Sequence, residues 1–131
     1  MKKLWLIVVA FIVTTGFVQA KNKEVIVSAE NHKKCYQAIT EFTIPKGAIA
    51  TNFKLLHLDN GYNCHTNQKL KRDQAAFYIQ NANNNRRVYA YYKYKKNNGL
   101  SNLVLGPGRY FLSADGGIDA VARLSYTLIS K

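Results

Sequence analysis

Residues 118–129, IDAVARLSYTLI, decide the fold class that this sequence predicts. An apolar side chain stands at every second position, at Ile118, Ala120, Ala122, Leu124, Tyr126 and Leu128. Successive side chains of a β-strand point to opposite faces, so this alternation puts all of them on one face. The stretch therefore predicts a strand that buries one side in a core.

Turn-forming residues divide the rest of the chain into further short segments of this kind. They stand at Pro45-Lys46-Gly47, Asn60-Gly61, residues 81–85, Asn97-Asn98-Gly99, Gly106-Pro107-Gly108 and Asp115-Gly116-Gly117. Glycine and asparagine adopt the backbone conformations of tight turns, and proline cannot donate to a sheet. No segment shows the apolar stripe of a helix. We expect an all-β fold, an antiparallel, jelly-roll-like β-sandwich of about eight or nine short strands, one of them over residues 100–105.

The dipeptide Asn60-Gly61 is the clearest local signal. It predicts a two-residue hairpin of type I′, because both positions of that turn need a positive φ. In this register His57 pairs with Cys64. Cys35 is the only other cysteine, and in an oxidising compartment an exported pair forms one disulfide, which would fasten the hairpin to a strand over residues 36–44. A reactive thiol beside a histidine is the alternative, but no Cys-x-x-Cys motif supports it.

Residues 1–20 have the layout of a secretory signal peptide that is cleaved from the mature protein. Lys2 and Lys3 give a basic start, an apolar run follows, and Val18-Gln19-Ala20 is a small-x-small cleavage site. The run has about fifteen apolar residues, and a membrane-spanning helix needs about 20. We expect one secreted or periplasmic β-sandwich domain over residues 21–131, bacterial in origin, with no transmembrane segment after cleavage.

The net charge is strongly positive, with 19 Lys and Arg against seven Asp and Glu. A mature chain without Lys2 and Lys3 keeps a net charge of about +10, which attracts anionic surfaces. The partners that this charge suits are anionic polysaccharide, lipopolysaccharide and acidic protein. Export removes the protein from most nucleic acid, which therefore ranks below glycan. The alternative is that the charge serves solubility alone.

Residues 86–95, RRVYAYYKYK, are the strongest candidate for ligand binding. On a strand Val88, Ala90, Tyr92 and Tyr94 share one face, and Tyr89, Tyr91, Lys93 and Lys95 share the other. If the first set packs inward, the second exposes a row of rings and ammonium groups. The candidate ligand-binding residues are Tyr78, Tyr89, Tyr91, Lys93 and Lys95, with Arg86 and Arg87 as electrostatic support. Two alternatives stay open: the faces are reversed, or the tyrosines form ordinary cross-strand pairs.

Metal and catalytic chemistry have little support in the sequence. The cluster His57, Asp59, Asn60, Asn63 and His65 surrounds the Asn-Gly turn, but the predicted register sends the two histidines to opposite faces and only one carboxylate is present. Asp115 and Asp119 flank two glycines, which a hairpin explains. No nucleophile motif, His-Glu-x-x-His or phosphate-binding loop is visible. We expect no metal, no cofactor and no enzymatic activity.

These observations favour an exported, non-catalytic binding protein of the cell envelope or extracellular space. It would recognise an anionic or glycan-like ligand through the tyrosine- and lysine-bearing strand face. One alternative is a protein-binding factor, such as an inhibitor, an immunity protein or a secreted effector, with an acidic partner protein. Another is a structural or assembly subunit whose edge strands pair between chains. The oligomeric state is left open.

Overall fold

A computed structural model describes residues 21–33 and 35–130 of the 131-residue chain. The predicted signal peptide, residues 1–20, lies outside the described residues. The seven strands found there are β1 (Lys21–Glu30), β2 (Ala38–Ile44), β3 (Ala48–Asp59), β4 (Ala76–Asn81), β5 (Arg87–Tyr92), β6 (Gly108–Ala114) and β7 (Val121–Ser130). Two single 3-10 turns, Arg72–Gln74 and Leu100–Asn102, accompany them. Over the same residues, no helix has the length and apolar character to cross a membrane.

The strands form two antiparallel sheets, as the alternating sequence predicts. One has three strands in the order β1-β7-β3, and the other has four in the order β2-β6-β4-β5. The stretch that decided the fold class becomes β7, the centre of the first sheet. Its Leu124 lies opposite Val27 of β1 and Leu55 of β3. A strand paired on both sides satisfies its backbone groups within the sheet, so its apolar face is free to be buried.

The core is formed by side chains from both sheets. The predicted apolar face of β7 is confirmed from Ala120 to Tyr126, where every second residue is buried. The Tyr126 ring lies 5.8 Å from the Phe42 ring of β2, which belongs to the other sheet. It also lies 5.2 Å from the Phe53 ring of its own sheet. These ring contacts join the two sheets through one apolar cluster.

The prediction of eight or nine strands is wrong for the described residues, which hold seven. The missing strand is the one expected over residues 100–105. Gly99 instead takes a left-handed conformation with φ 68°, and a 3-10 turn over Leu100–Asn102 follows it. Only Leu105 pairs with a sheet, in a single bridge to Ala50 of β3. A tight turn uses up the residues that an extended strand would have needed.

The predicted hairpin on Asn60-Gly61 is also wrong. Gly61 has a positive φ of 69°, but Asn60 does not appear among the positive-φ residues, so the type I′ conformation is not formed. The physical reason is that β3 already pairs with β7 as far as Asp59. The chain after Gly61 therefore turns to a different partner, and the Tyr62 amide donates to the Ile118 carbonyl at 2.8 Å.

Candidate functional site

The faces of β5 are the reverse of the leading prediction. Tyr91 lies opposite Phe77 of β4, and Tyr89 lies opposite Ile79. Paired residues share a face, and both β4 residues are completely buried, so the two tyrosines face the core. The prediction that Tyr89 and Tyr91 lie exposed to contact a ligand is wrong, and the reversed arrangement is the one formed.

The reason is the set of β4 residues that each face meets. Tyr91 and Tyr89 pair with the buried Phe77 and Ile79, so their rings lie against the core, whereas Ala90 on the opposite face pairs with the partly exposed Tyr78. The Tyr89 hydroxyl keeps a partner, because it donates to the Asn98 carbonyl at 2.9 Å. Burial raises the pKa of Tyr89 to about 12, which agrees with its place against the core.

The basic residues of this segment lie at its two ends. Arg86 belongs to the turn before β5, where its amide donates to Asn84 Oδ1 at 2.9 Å. After β5 the chain turns, since the Lys95 amide donates to the Tyr92 carbonyl at 3.0 Å. Lys93 and Lys95 are both exposed, but they do not continue the strand as predicted. The predicted row of alternating tyrosines and lysines is therefore not formed.

A different set of tyrosines lies on the outer side of the four-stranded sheet. The Tyr78 and Tyr92 rings meet edge to face with centroids 6.1 Å apart and an angle of 72°. The Tyr94 ring stacks on Tyr92 at 5.6 Å with an angle of 10°. We call Tyr78, Tyr92 and Tyr94 the tyrosine triad. Of the predicted tyrosines only Tyr78 belongs to it.

Two cations of the chain itself lie on triad rings. The Arg87 guanidinium carbon lies 3.8 Å from the centroid of the Tyr78 ring. The Lys95 ammonium lies 5.1 Å from the centroid of the Tyr92 ring. Such cation–π contacts hold basic groups beside aromatic surfaces. Arg87, predicted as electrostatic support, and Lys95, predicted as a ligand-binding residue, therefore form a basic rim next to the triad.

Three cavities meet at Asp115, beside the triad. The first, of about 280 Å³, is lined by all three tyrosines of the triad, by Asp73 and by Asp115. The second, of about 140 Å³, is lined by Asn60, Leu70, Gln74, Asp115 and Gly116. The third, of about 250 Å³, reaches from Tyr78 and Asp115 to the Cys35–Cys64 pair. We call the three together the Asp115 groove. Burial first, and then the charge of Asp115, raise the pKa of Tyr78.

Backbone packing holds Asp115 in this position. It begins the connection from β6 to β7, where the Gly117 amide donates to the Asn60 carbonyl at 3.0 Å. A Cβ on Gly116 would overlap that Asn60 carbonyl, and a Cβ on Gly117 would overlap the Tyr62 carbonyl. The two glycines therefore let this connection lie directly against residues 60–62. The sequence predicts Asp115 only as a turn residue and does not predict the groove, for which the Gly-Gly pair is the one local signal.

The predicted disulfide between Cys35 and Cys64 is confirmed, with Cα atoms 5.1 Å apart. A His65 ring nitrogen and the two sulfurs lie within 4.8 Å of one another, but His57 is not part of this group. The polar residues around the Asn60-Gly61 turn make hydrogen bonds to neighbouring residues of the same segment. Asn63 Oδ1 accepts from the His65 amide at 2.8 Å. Asp59 accepts a hydrogen bond from Lys69 Nζ at 2.7 Å. Burial acts to raise the pKa of Asp59, but the hydrogen bonds from Lys69 and from the Gly61 amide outweigh burial, and the pKa is lowered.

Asp115 and Asp119, which flank the glycines in sequence, have different surroundings. Asp115 lines the Asp115 groove, whereas the Asp119 carboxylate lies 3.0 Å from His32 Nδ1.

No family model matches the chain, and no curated protein or solved structure matches it.

Proposed function

We propose that this chain is an exported, non-catalytic binding protein of the cell envelope or extracellular space that recognises a glycan-like ligand. The observation that carries the proposal is the tyrosine triad lining a cavity of about 280 Å³. Tyrosine offers a flat apolar face and a polar tip at a low cost in conformational entropy. A sugar ring has the same mixture of apolar faces and hydroxyl edges, so it can stack on Tyr92 and Tyr94.

The surrounding charge suits acidic groups on such a ligand. Arg87 and Lys95 lie on the rings of Tyr78 and Tyr92, next to the place where a stacked sugar would lie. The positive net charge of the chain adds long-range attraction to anionic polysaccharide or lipopolysaccharide. Exposed charges act over about 8 Å at physiological ionic strength, so this attraction should weaken with added salt.

We also propose that the two sheets form a jelly-roll β-sandwich, and that residues 21–131 are one domain that follows a signal peptide over residues 1–20. The strand orders support this topology. In a jelly roll the first, last and third strands are neighbours in one sheet, and the second, next-to-last, fourth and fifth strands are neighbours in the other. The orders β1-β7-β3 and β2-β6-β4-β5 follow this rule. The bridge from Leu105 to Ala50 takes the place of the strand that would complete the first sheet.

The test is binding to immobilised heparin and to purified lipopolysaccharide by protein expressed from the full chain. Tyr92→Ala/Tyr94→Ala should weaken binding about thirtyfold or more, because stacking on aromatic rings contributes about 1–3 kcal/mol per ring and this variant removes two rings. Tyr62→Ala is the control, since Tyr62 is 38% exposed and lines none of the three cavities. Unchanged binding by the double variant would contradict the proposal.

A matched pair of arginines separates the basic rim from general charge attraction. Arg86→Ala and Arg87→Ala remove the same charge from adjacent positions, but only Arg87 lies on the Tyr78 ring. We expect Arg87→Ala to weaken binding more than Arg86→Ala does at every salt concentration. Equal losses that both vanish in high salt would show that only the net charge matters.

A protein partner is the second candidate, and a separate surface favours it. On the outer face of the three-stranded sheet Ile26 is 62% exposed and Ile49 is 41% exposed. Contiguous exposed apolar patches mark protein interfaces, and Ile26 and Ile49 would be the apolar part of such a contact here. A salt-resistant complex with an acidic protein, weakened by Ile26→Ser and unaffected by Tyr92→Ala, would favour this candidate.

A further inference from the structure

The Asp115 groove has a charge opposite to that of the rest of the molecule. The chain carries 19 Lys and Arg against seven Asp and Glu. Yet the charged residues that line the largest of the three cavities are Asp73 and Asp115, and Asp115 is the charged residue lining the other two. Among residues 21–33 and 35–130, no lysine or arginine lines any of the three. The inside of the groove is therefore suited to a cation, while the rim attracts anions.

The tyrosine triad adds a second feature that favours a cation. The ring of an aromatic side chain has a negative face, which attracts ammonium and guanidinium groups. Arg87 and Lys95 already lie on the Tyr78 and Tyr92 rings from outside the cavity, since neither residue lines it. The edge-to-face arrangement of Tyr78 and Tyr92 makes a corner, and Asp73 and Asp115 line the same cavity. Rings and carboxylates together form a lining that attracts a small cation.

A third feature, an unpartnered hydrogen-bond acceptor at the adjoining cavity, favours a ligand that donates hydrogen bonds. Asn60 is only 4% exposed and lines the cavity of about 140 Å³ together with Gln74 and Asp115. Its Nδ2 donates to the Lys71 carbonyl at 2.6 Å. Its Oδ1, however, is buried and has no hydrogen-bond partner in the described part of the chain. A buried acceptor is normally satisfied, so a ligand that donates hydrogen bonds would complete this site.

We propose that the Asp115 groove binds the protonated amino group of an amino sugar. This rests on the proposed glycan-binding function and specifies the ligand as a zwitterionic glycan. The ammonium, with three N–H donors, is held by the carboxylates of Asp73 and Asp115 and by the ring faces of the triad. Acidic groups of the same glycan lie at the Arg87 and Lys95 rim. N-acetylation removes both the charge and two donors, so the N-acetylated sugar binds weakly.

The experiment compares oligomers of glucosamine and of N-acetylglucosamine of equal length, titrated calorimetrically at about pH 6, where the amine is charged. Wild type should bind the free-amine oligomer about tenfold more tightly, as charge-assisted hydrogen bonds predict. Asp115→Asn should reduce this preference to about twofold or less. Asp119→Asn is the matched control, because Asp119 contacts His32 and lines none of the three cavities. Asp73→Asn is a second variant, outside the β6–β7 connection, and it should also lower the preference.

The possible results separate this inference from the function on which it rests. Equal binding of the two oligomers by wild type would overturn the ammonium site, and a loss of heparin binding in Tyr92→Ala/Tyr94→Ala would still support the glycan function. Unchanged heparin binding in that variant, together with no binding of either oligomer, would overturn both. Displacement of the bound oligomer by lysine amide and not by glucosamine would overturn the sugar and assign the groove to a protein side chain.

Discussion

The Tyr91 ring lies 5.0 Å from the Phe77 ring, centroid to centroid, and the two planes differ by only 12°. Phe77 is completely buried, so this contact turns one side of β5 toward the core. The opposite side then carries Tyr92, whose ring stacks with Tyr94 in the triad. One buried pair thus decides which tyrosines can contact a ligand.

We expect Tyr91→Ala to lower the free energy of unfolding by about 2–3 kcal/mol, since truncating a core aromatic ring leaves a cavity and Tyr91 is only partly buried. Tyr94→Ala is the matched control on the same segment. Tyr94 is 62% exposed, so its loss should change stability by about 1 kcal/mol or less. Chemical denaturation measures both values. A larger loss for Tyr94→Ala than for Tyr91→Ala would contradict the observed facing.

The Cys35–Cys64 disulfide closes a loop with a sequence separation of 29 residues. A loop of that length should make the free energy of unfolding about 3–4 kcal/mol larger than in the reduced protein. Heating with and without a dithiol reductant measures the effect as a shift in Tm. Cys35→Ser/Cys64→Ser is the control. Its Tm should match that of the reduced protein and should not change when the reductant is added. A reductant-dependent Tm in this variant would show that the shift has another cause.

Gly117 lies where a side chain would overlap the Tyr62 carbonyl. Gly117→Ala should therefore push the β6–β7 connection away from residues 60–62 and lower the unfolding free energy by about 3 kcal/mol. Gly106→Ala is the matched control, because a Cβ at Gly106 meets nothing within 4 Å. It should change stability by about 0.5 kcal/mol or less. Equal effects of the two substitutions on chemical denaturation would contradict the close backbone approach.

His32 lies between two carboxylates, with Nδ1 3.0 Å from Asp119 Oδ1 and Nε2 3.0 Å from Glu30 Oε1. Only the doubly protonated ring donates to both. The hydrogen bond to Asp119, and then the one to Glu30, raise the pKa of His32 above its ordinary value of 6.5. Hydrogen bonds from His32 first, and then from Ser28 and Arg123, lower the pKa of Glu30 from 4.5 to about 2. The charged forms of both groups therefore favour the folded state.

The raised pKa of His32 means that its contribution is complete below pH 6.5 and is lost as pH rises through the raised value. The contribution of Glu30 is present above pH 4.5 and is lost as pH falls toward about 2. The stability advantage of wild type over His32→Ala should therefore be largest between pH 4.5 and 6.5 and decline at higher pH. His57→Ala is the control, at an exposed histidine of β3. A pH-independent advantage over His32→Ala, measured by denaturation, would contradict this prediction.

The fold class could be predicted because it depends on local patterns. Most of the alternating stretch 118–129 lies in β7, and the predicted face is buried from Ala120 to Tyr126, although Val121 and Ser125 of the other face are buried as well. The pairing of Cys35 with Cys64 followed from there being no other cysteine. The ends of the elements were harder to predict. Gly99 and Asn60-Gly61 were both recognised as turn residues, but the partner strands that a turn joins depend on residues far away in the chain.

By itself, then, the sequence determined an all-β chain, the inward face of β7 and the disulfide, since each depends on a short-range period or on a count of residues. The tertiary structure decided which face of β5 is buried, because both faces carry tyrosines and only Phe77 and Ile79 on the neighbouring strand distinguish them. It also decided the Asp115 groove, which brings residue 60, residues 73–78, residues 92–94 and residue 115 together. Residues so far apart in sequence meet only when the sheets have formed, so no local pattern encodes their contact.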